Sequence, residues 1–370
     1  MKILHAACLL RPSMGIVKQM SEEKYIVNKL GLDWNVKFFL PKGQENISSI
    51  IKEAKYTNSI YLNRFIYKLF AWFFIRVEYY IWLSQQKEVD VFLIRYSVHD
   101  IFQLIFLLLS KKPVFLVHHT LEEPELKMNN NFLGKLRYFS EKIIGKFCIN
   151  AAYGIVGVTN EIVEYEKSRI KSNSKRSLLF PNGINMYTLQ NNDIFPNLST
   201  IKILFVASEF SEWHGLDLIL NDMKNNNNQN FELHLVGKLL SQDLEISKKD
   251  SRIILHGIQN KEFIENLANQ CHVALGSFAL ERKNMKEACT LKVREYLSLG
   301  LPVYSGHKDV FPESFKFYKL GKPKINDILA YATNCSSYNR SIVVDEARNY
   351  IDKSVLTLKL YTDLKDLTNL

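Results

Sequence analysis

The sequence predicts an α/β protein built from two Rossmann-like, doubly wound domains. Three observations carry this. At 370 residues the chain is too long for one ordinary core and suits two domains of roughly 150–200 residues. Strand-like and helix-like patterns alternate through both halves, as in a parallel sheet covered by helices. A polar, proline-marked stretch, Asn191–Thr200, separates the halves, and the alternation restarts directly after it. The expected partition is 1–195 and 196–343, with a terminal helix over 344–370.

In the first half, Lys2–Cys8 is an apolar strand. Pro12-Ser13-Met14-Gly15 forms a turn, and Ile16–Leu30 has helical spacing. Val36–Leu40 is the second strand. Asn63–Leu83 is a long aromatic helix, Val89–Tyr96 a strand and Asp100–Ser110 a buried helix. Pro113–His118 is a strand, Leu133–Ala152 a helix and Gly154–Val158 a strand. Leu178–Phe180 leads into Pro181-Asn182-Gly183-Ile184-Asn185. In the second half, Ile201–Val206, Phe231–Val236, Arg252–Leu255, Val273–Leu275 and Pro302–Tyr304 read as strands with helices between. Asn225–Asn228 reads as a solvated loop, and Val344–Leu367 as one amphipathic helix.

Composition is that of a globular protein, 47% hydrophobic and 23% charged. Five scattered cysteines without a C-x-x-C pair fit a reduced, cytosolic compartment. No secretory signal is expected, and no apolar run reaches the ~20 residues of a spanning helix. Charge is lopsided. Residues 1–195 hold 26 basic and 17 acidic residues, net +9, against 22 and 21 in the remainder. Such a half-molecule favours an anionic partner: nucleic acid, an acidic lipid surface or a phosphorylated substrate.

The motif that discriminates is Glu287-Ala288-Cys289-Thr290-Leu291-Lys292-Val293-Arg294-Glu295, which runs on through Tyr296-Leu297-Ser298-Leu299-Gly300-Leu301-Pro302-Val303. Two carboxylates separated by seven residues span a loop and a first helical turn, and Gly-Leu-Pro-Val leads out into a strand. This resembles the E-x7-E signature of retaining GT-B glycosyltransferases, glycosyltransferase family 4 in particular. The resemblance is strongest over Ile201–Ser305. It implies a GT-B fold: two Rossmann-like domains facing a cleft at the C-terminal ends of their sheets, with the last helix crossing back to the first domain. Helix N-termini there suit a nucleotide diphosphate. Neither G-x-G-x-x-G nor a P-loop is present, which disfavours a dehydrogenase and a P-loop NTPase.

The resemblance also implies roles. Glu295 would accept hydrogen bonds from both donor ribose hydroxyls, and Glu287 would act near the donor sugar. The backbone of Cys289, Thr290 and Leu291 would hold the diphosphate, although the family's glycines are missing there. The loop after the first strand of the second domain would bind the diphosphate too. Its usual arginine falls on Ser208 or Glu209 and its usual lysine on His214, which donates to phosphate more strongly when protonated. Lys292 and Lys238 are the cations that could restore charge; Trp213-His214 alternatively reads as a packing pair. Gly257 and Ile258 would cup the base. Pro181-Asn182-Gly183 resembles the family's junction turn.

In the first domain, Gly15 would lie in a loop near donor and acceptor. His118 and His119 end a strand where family members carry a histidine facing the donor sugar; a structural role is the competing reading. Arg95 suits either an anionic acceptor or a surface ion pair. Arg64, Lys68 and Arg76 share one side of the aromatic helix, consistent with interfacial membrane contact or with a core helix whose cations snorkel. No metal-binding pattern and no cofactor is expected.

The resemblance implies transfer of a hexose-type sugar from a UDP- or GDP-sugar to a glycan acceptor linked to polyprenyl diphosphate. The setting would be O-antigen or capsule assembly at the inner face of the plasma membrane, with the basic domain on the anionic surface. Rival readings are a nucleotide-sugar epimerase or hydrolase on the same fold, and a non-catalytic partner subunit with a decayed donor site. A nucleic-acid-binding protein is favoured by charge alone.

Overall fold

The structure of the chain, a computed structural model, describes residues 1–10, 14–42, 54–60, 65–128, 131–186, 193–226 and 230–369. Pro12 and Ser13 of the expected turn, the Arg64 and Lys68 side chains, Asn191 and Asn192 of the linker, and Asn227 and Asn228 lie outside what is described. The chain separates into two compact units, Met1–Phe180 with Thr357–Leu370, and Pro181–Leu356. The sequence placed its boundaries at 195/196 and 343/344.

The first unit holds a seven-stranded sheet in the order β3-β2-β1-β4-β5-β6-β7. The strands are β1 (Ile3–Cys8), β2 (Trp34–Lys42), β3 (Lys55–Ile60), β4 (Val91–Arg95), β5 (Val114–His118), β6 (Gly154–Gly157) and β7 (Ser177–Leu179). All pairs are parallel. Parallel sheets are covered on both faces, so their strands read as unbroken apolar runs rather than alternating ones. β5, Val-Phe-Leu-Val-His, is buried at every position. Helices α1 (Met14–Lys29), α2 (Phe65–Ser84), α3 (Ile101–Leu109), α4 (Glu122–Lys127), α5 (Phe132–Ala151) and α6 (Asn160–Ile170) connect the strands. Asp100 caps α3 by accepting from the backbone N–H of Phe102 (3.0 Å) and Gln103 (3.2 Å), and Arg76 of α2 donates to its other oxygen at 2.8 Å.

The second unit holds a six-stranded parallel sheet, β10-β9-β8-β11-β12-β13. Its strands are β8 (Ile201–Glu209), β9 (Phe231–Lys238), β10 (Ile253–Gly257), β11 (Val273–Leu275), β12 (Val303–Ser305) and β13 (Tyr318–Leu320). The helices are α7 (Leu216–Lys224), α8 (Ser241–Ser247), α9 (Lys261–Ala268), α10 (Leu291–Ser298), α11 (Ile325–Cys335) and α12 (Arg340–Ile351), followed by α13 (Lys353–Thr368). One face of the sheet packs a core around Phe205, Leu220, Leu233 and Ile328, the other around Val236, Val293, Leu297 and Val343.

Three expectations are corrected. The helix expected over 344–367 is two helices broken at Asp352, whose backbone leaves the helical region (ψ 116°) and whose carboxylate accepts from the Ser354 N–H at 2.8 Å, starting α13. Gly15 lies in the first turn of α1, not in a turn before it. The helix expected to be buried over 100–110 leaves Ile101, Ile105, Leu108 and Leu109 exposed. A helix that is apolar all round gives no sequence signal for which face is covered.

Candidate functional site

In an open parallel sheet, ligands bind beyond the carboxyl ends of the strands, where the following helices begin. In the second unit these are the loops after β8, β11 and β12 and the N-terminus of α10. A short 3-10 turn, Glu212–His214, follows β8. Its carbonyls are tied to the loop after β11: Phe278 N–H donates to His214 O (2.9 Å) and Ala279 N–H to Trp213 O (3.3 Å). Gly215 takes φ +71°, and a Cβ there would meet Phe278 Cβ at 2.8 Å. Only glycine suits that backbone and that space.

His214 is buried and stacks on Trp213 with ring centroids 3.8 Å apart. Its Nδ1 accepts from the Ser211 N–H at 2.9 Å. Burial, reinforced by Lys292 and Lys283, pushes its pKa down to about 3. The ring is neutral at physiological pH, so the protonated phosphate donor expected from the sequence is not the form the fold favours.

The cation at this edge is Lys292, in the first turn of α10. Its ammonium is buried and has no hydrogen-bond partner among the described residues. It lies 5.4 Å from the Phe205 ring centroid and 5.7 Å from that of Trp213. Burial drives its pKa down to about 7, against an opposing contribution from Glu295. Lys292 also helps depress His214 and His307, so α10, the loop after β8 and the loop after β12 share one electrostatic neighbourhood. Lys238 does not supply spare charge, because it pairs with Glu209 at 2.9 Å. Ser208 beside it is exposed.

Thr290 precedes α10 in the N-cap position, yet its side chain makes no capping bond, and its hydroxyl is buried without a partner. The first N–H groups of α10 therefore lack the side-chain oxygen that usually satisfies them. The buried Ser277 hydroxyl and His307 Nε2 also lack partners. His307 Nδ1 lies 2.8 Å from Ser305 Oγ and 3.0 Å from Ser277 O. Glu287 forms a parallel bridge with Lys308, and Ala288 N–H donates to Lys308 O at 3.0 Å. Glu287 and Glu295 are both partly buried.

The segment between the two glutamates is anchored from behind. The side chains of Arg294 and Asp309 are completely buried and joined by two contacts of 2.5 Å. Arg294 Nε donates to Asn182 O at 3.0 Å, and Asn182 Nδ2 to Cys289 O at 2.7 Å. Asn182 N–H also donates to the Cys289 thiol at 3.0 Å, and burial raises that thiol to about 12. The Pro-Asn-Gly turn is thus a clamp on the E-x7-E segment, and the Cys289 carbonyl is already used. Leu291 opens α10. Gly257 and Ile258 lie at the carboxyl end of edge strand β10, with Ile258 73% exposed.

In the first unit, His118 ends β5 and is fully buried. It stacks on Tyr96 at 4.3 Å, and its Nδ1 lies 3.1 Å from Glu122 and 3.9 Å from Glu166. Burial opposes a charged ring, but the two carboxylates outweigh it and hold the His118 pKa above its ordinary value. Burial lifts Glu166 to about 7. Arg169 contacts Glu166 (2.8 Å), Glu141 (2.7 Å) and Glu123 (3.2 Å), and Tyr96 Oη donates to Glu141 at 2.7 Å. His118 Nε2 has no hydrogen-bond partner among the described residues. His118, Glu122 and Glu166 bring ligand-type atoms within 4.8 Å of one another and are the described residues that could hold a metal ion. The Arg169 guanidinium on Glu166 opposes a second cation there. His119 beside them is partly buried, and Gly15 has open space where a side chain would project. Arg95 is drawn toward Glu122, the one charge that offsets its burial.

Sequence reasoning missed Arg294–Asp309, Ser277, His307 and the partners of His118. Ser305-Gly306-His307 directly follows the Gly-Leu-Pro-Val strand and was within reach. The Glu122–Glu166–Arg169 network joins residues far apart in sequence and leaves no local pattern.

No protein-family model matches the sequence, and no curated protein matches it. Solved structures do. The apo form of the lipopolysaccharide outer core galactosyltransferase WaaB superposes with a TM-score of 0.69 at 14% identity, over 99% of each chain. Anabaena Alr3699/HepE in complex with UDP and glucose gives 0.63 at 13% identity, over 99% of this chain and 100% of that one. The N-terminal domain of Candida albicans trehalose-6-phosphate phosphatase gives 0.63 at 10% identity, over 99% and 97%. The fold is GT-B. Identities this low establish fold alone, and the function has to be argued from the site.

Proposed function

We propose that this chain is a retaining, metal-independent glycosyltransferase of the family 4 type. It moves a hexose from a UDP- or GDP-sugar to a glycan acceptor carried on a polyprenyl diphosphate, in bacterial surface polysaccharide assembly, and works peripherally at an anionic membrane. The observation that carries the transfer reading is the uncapped N-terminus of α10, flanked by Glu287 and Glu295 and equipped with the buried, unpartnered ammonium of Lys292. A desolvated ammonium and free N–H groups stabilise the charge that develops on a leaving diphosphate more than they stabilise a neutral group. Glu295 accepts from the ribose hydroxyls, and Glu287 acts beside the sugar. The likeness to WaaB, named as a galactosyltransferase, and to HepE, solved with UDP and glucose, supports a sugar nucleotide as donor.

Supplying the purified chain with a nucleotide sugar and a polyprenyl-diphosphate-linked saccharide tests this. The expected products are free nucleoside diphosphate and an extended glycan whose new linkage keeps the anomeric configuration of the donor. Inversion would remove the retaining assignment, and absence of transfer with every donor would remove the activity. A second reading, a partner subunit with a decayed donor site, is favoured by Ser208, Glu209 and His214 where the family carries cations. It predicts that no nucleotide sugar binds.

A further inference from the structure

Helix α5 is apolar on its outward face as well as its inward one. Its inward face carries Cys148 and Ile149 beside Glu141, held by Arg169, and Gly145, where a Cβ would lie 2.2 Å from the Arg169 guanidinium. Its outward face carries Leu136, Phe139, Ile143 and Phe147, all between 45% and 61% exposed. Their spacing of three, four and four residues makes one stripe. Lys135, Lys142 and Lys146 flank the stripe, are exposed, and form no ion pair among the described residues. Helix α3 packs beside α5 and continues the surface with Ile101, Ile105 and Leu108, again at helical spacing and exposed. Helix α2 packs beside α3 and adds Phe73, Phe74 and Ile81. Neither α3 nor α5 has an exposed carboxylate, since Glu141 is the one acid on either; on α2, Glu78 is partly buried. An apolar pocket of about 480 Å³ opens between α2 and α3, walled by Ile81, Phe102, Ile105 and Leu109, with Lys87 and Lys111 exposed at its rim.

We propose that the outer face of α3 and α5, with the exposed side of α2, docks on an anionic phospholipid bilayer, and that the pocket between α2 and α3 receives a lipid acyl chain. The peripheral location proposed above is thereby given a surface; the transfer chemistry is not needed for it. Charge complementarity selects the occupant. Contiguous apolar patches of this extent mark interaction sites, and a basic, aromatic helix face without acids suits an anionic headgroup layer over hydrocarbon. A second copy of this chain would set the same lysines against one another.

Flotation with phosphatidylglycerol–phosphatidylcholine vesicles, in the absence of any nucleotide, tests the docking. The protein should float with these vesicles, far less with phosphatidylcholine alone, and less as salt rises. Lys135→Glu, Lys142→Glu and Lys146→Glu combined should weaken vesicle binding roughly a hundredfold, and Phe139→Ser with Phe147→Ser should abolish flotation, with thermal melts unchanged because all five sites are exposed. A tryptophan placed in the pocket wall by Phe102→Trp should be quenched by brominated acyl chains beyond the quenching of the parent chain. Absence of flotation, indifference to lipid charge, or wild-type binding by both variants would overturn the docking. A dimer in light scattering that Phe139→Ser with Phe147→Ser dissolves would assign the face to a second copy instead. No added quenching of the reporter would remove the acyl-chain site. Nucleotide-sugar stabilisation measured on the same samples separates failure of this proposal from failure of the transfer reading.

Discussion

Lys292 is where the chemistry of the α10 N-terminus is most open to test. Its ammonium is buried without a hydrogen-bond partner among the described residues, and its pKa is lowered to about 7. Between pH 7 and 10.5 the unfolded chain therefore binds a proton that the folded chain does not. Stability of the unliganded protein should fall as pH drops through that window and gain no further penalty below pH 7. A bound diphosphate reverses the preference and favours the charged lysine. Nucleoside diphosphate affinity should accordingly fall by up to about tenfold per pH unit above pH 7, with proton uptake visible as a buffer-dependent heat in calorimetry. The neighbouring groups are His214, Lys283, Glu295 and His307. His214, held near a pKa of 3, stays neutral across this range and should not contribute to the profile. Lys292→Met should flatten the profile and weaken diphosphate binding about tenfold to a hundredfold, the worth of a charge-assisted hydrogen bond. A profile in Lys292→Met that matches wild type would remove the lysine from the site. Glu287→Ala should lower turnover more than nucleotide affinity; retained turnover would make Glu287 structural.

Helix α10 is anchored by a buried clamp. Arg294 and Asp309 form a buried pair that also grips Asn182. Removing one partner leaves an uncompensated buried charge, so Asp309→Asn or Arg294→Met should each lower stability by about 3–5 kcal/mol, read in a denaturant titration. Gly215→Ala should add strain of about 1–3 kcal/mol, because the residue sits at φ +71° with Phe278 against it. The E-x7-E helix was legible because its pattern is local: apolar spacing on α10, then Gly-Leu-Pro-Val entering β12. Burial of α3 was not legible, because Ile-Phe-Gln-Leu-Ile-Phe-Leu-Leu-Leu is apolar on every side. The polar strand β3, Lys-Tyr-Thr-Asn-Ser-Ile, went unread for the opposite reason: it lacks the apolar run that betrays a parallel strand. The partners of His118 were invisible because Glu122, Glu141, Glu166 and Arg169 meet only through tertiary packing.

For the whole molecule, the doubled alternation of strand and helix was enough to predict two parallel sheets, and both are present with crossovers that place β1 and β8 inside their sheets. Among the described residues no helix is long and apolar enough to cross a membrane, and the docking proposed above uses the surface of α3 and α5 instead. The five thiols are all unpaired, and four are buried. Fold likeness reaches galactosyltransferase and phosphatase-domain structures alike, so the claim that matters is that this copy of the fold holds a sugar nucleotide. Thermal stabilisation by a panel of nucleotide sugars, run on wild type and on Glu295→Ala, tests it most directly. A ligand at one hundred times its Kd should stabilise the wild type by about 2.7 kcal/mol, selectively for one nucleotide sugar, and the effect should largely vanish in Glu295→Ala. No stabilisation of a folded wild type by any of the panel, or equal stabilisation of the Glu295 variant, would contradict the account.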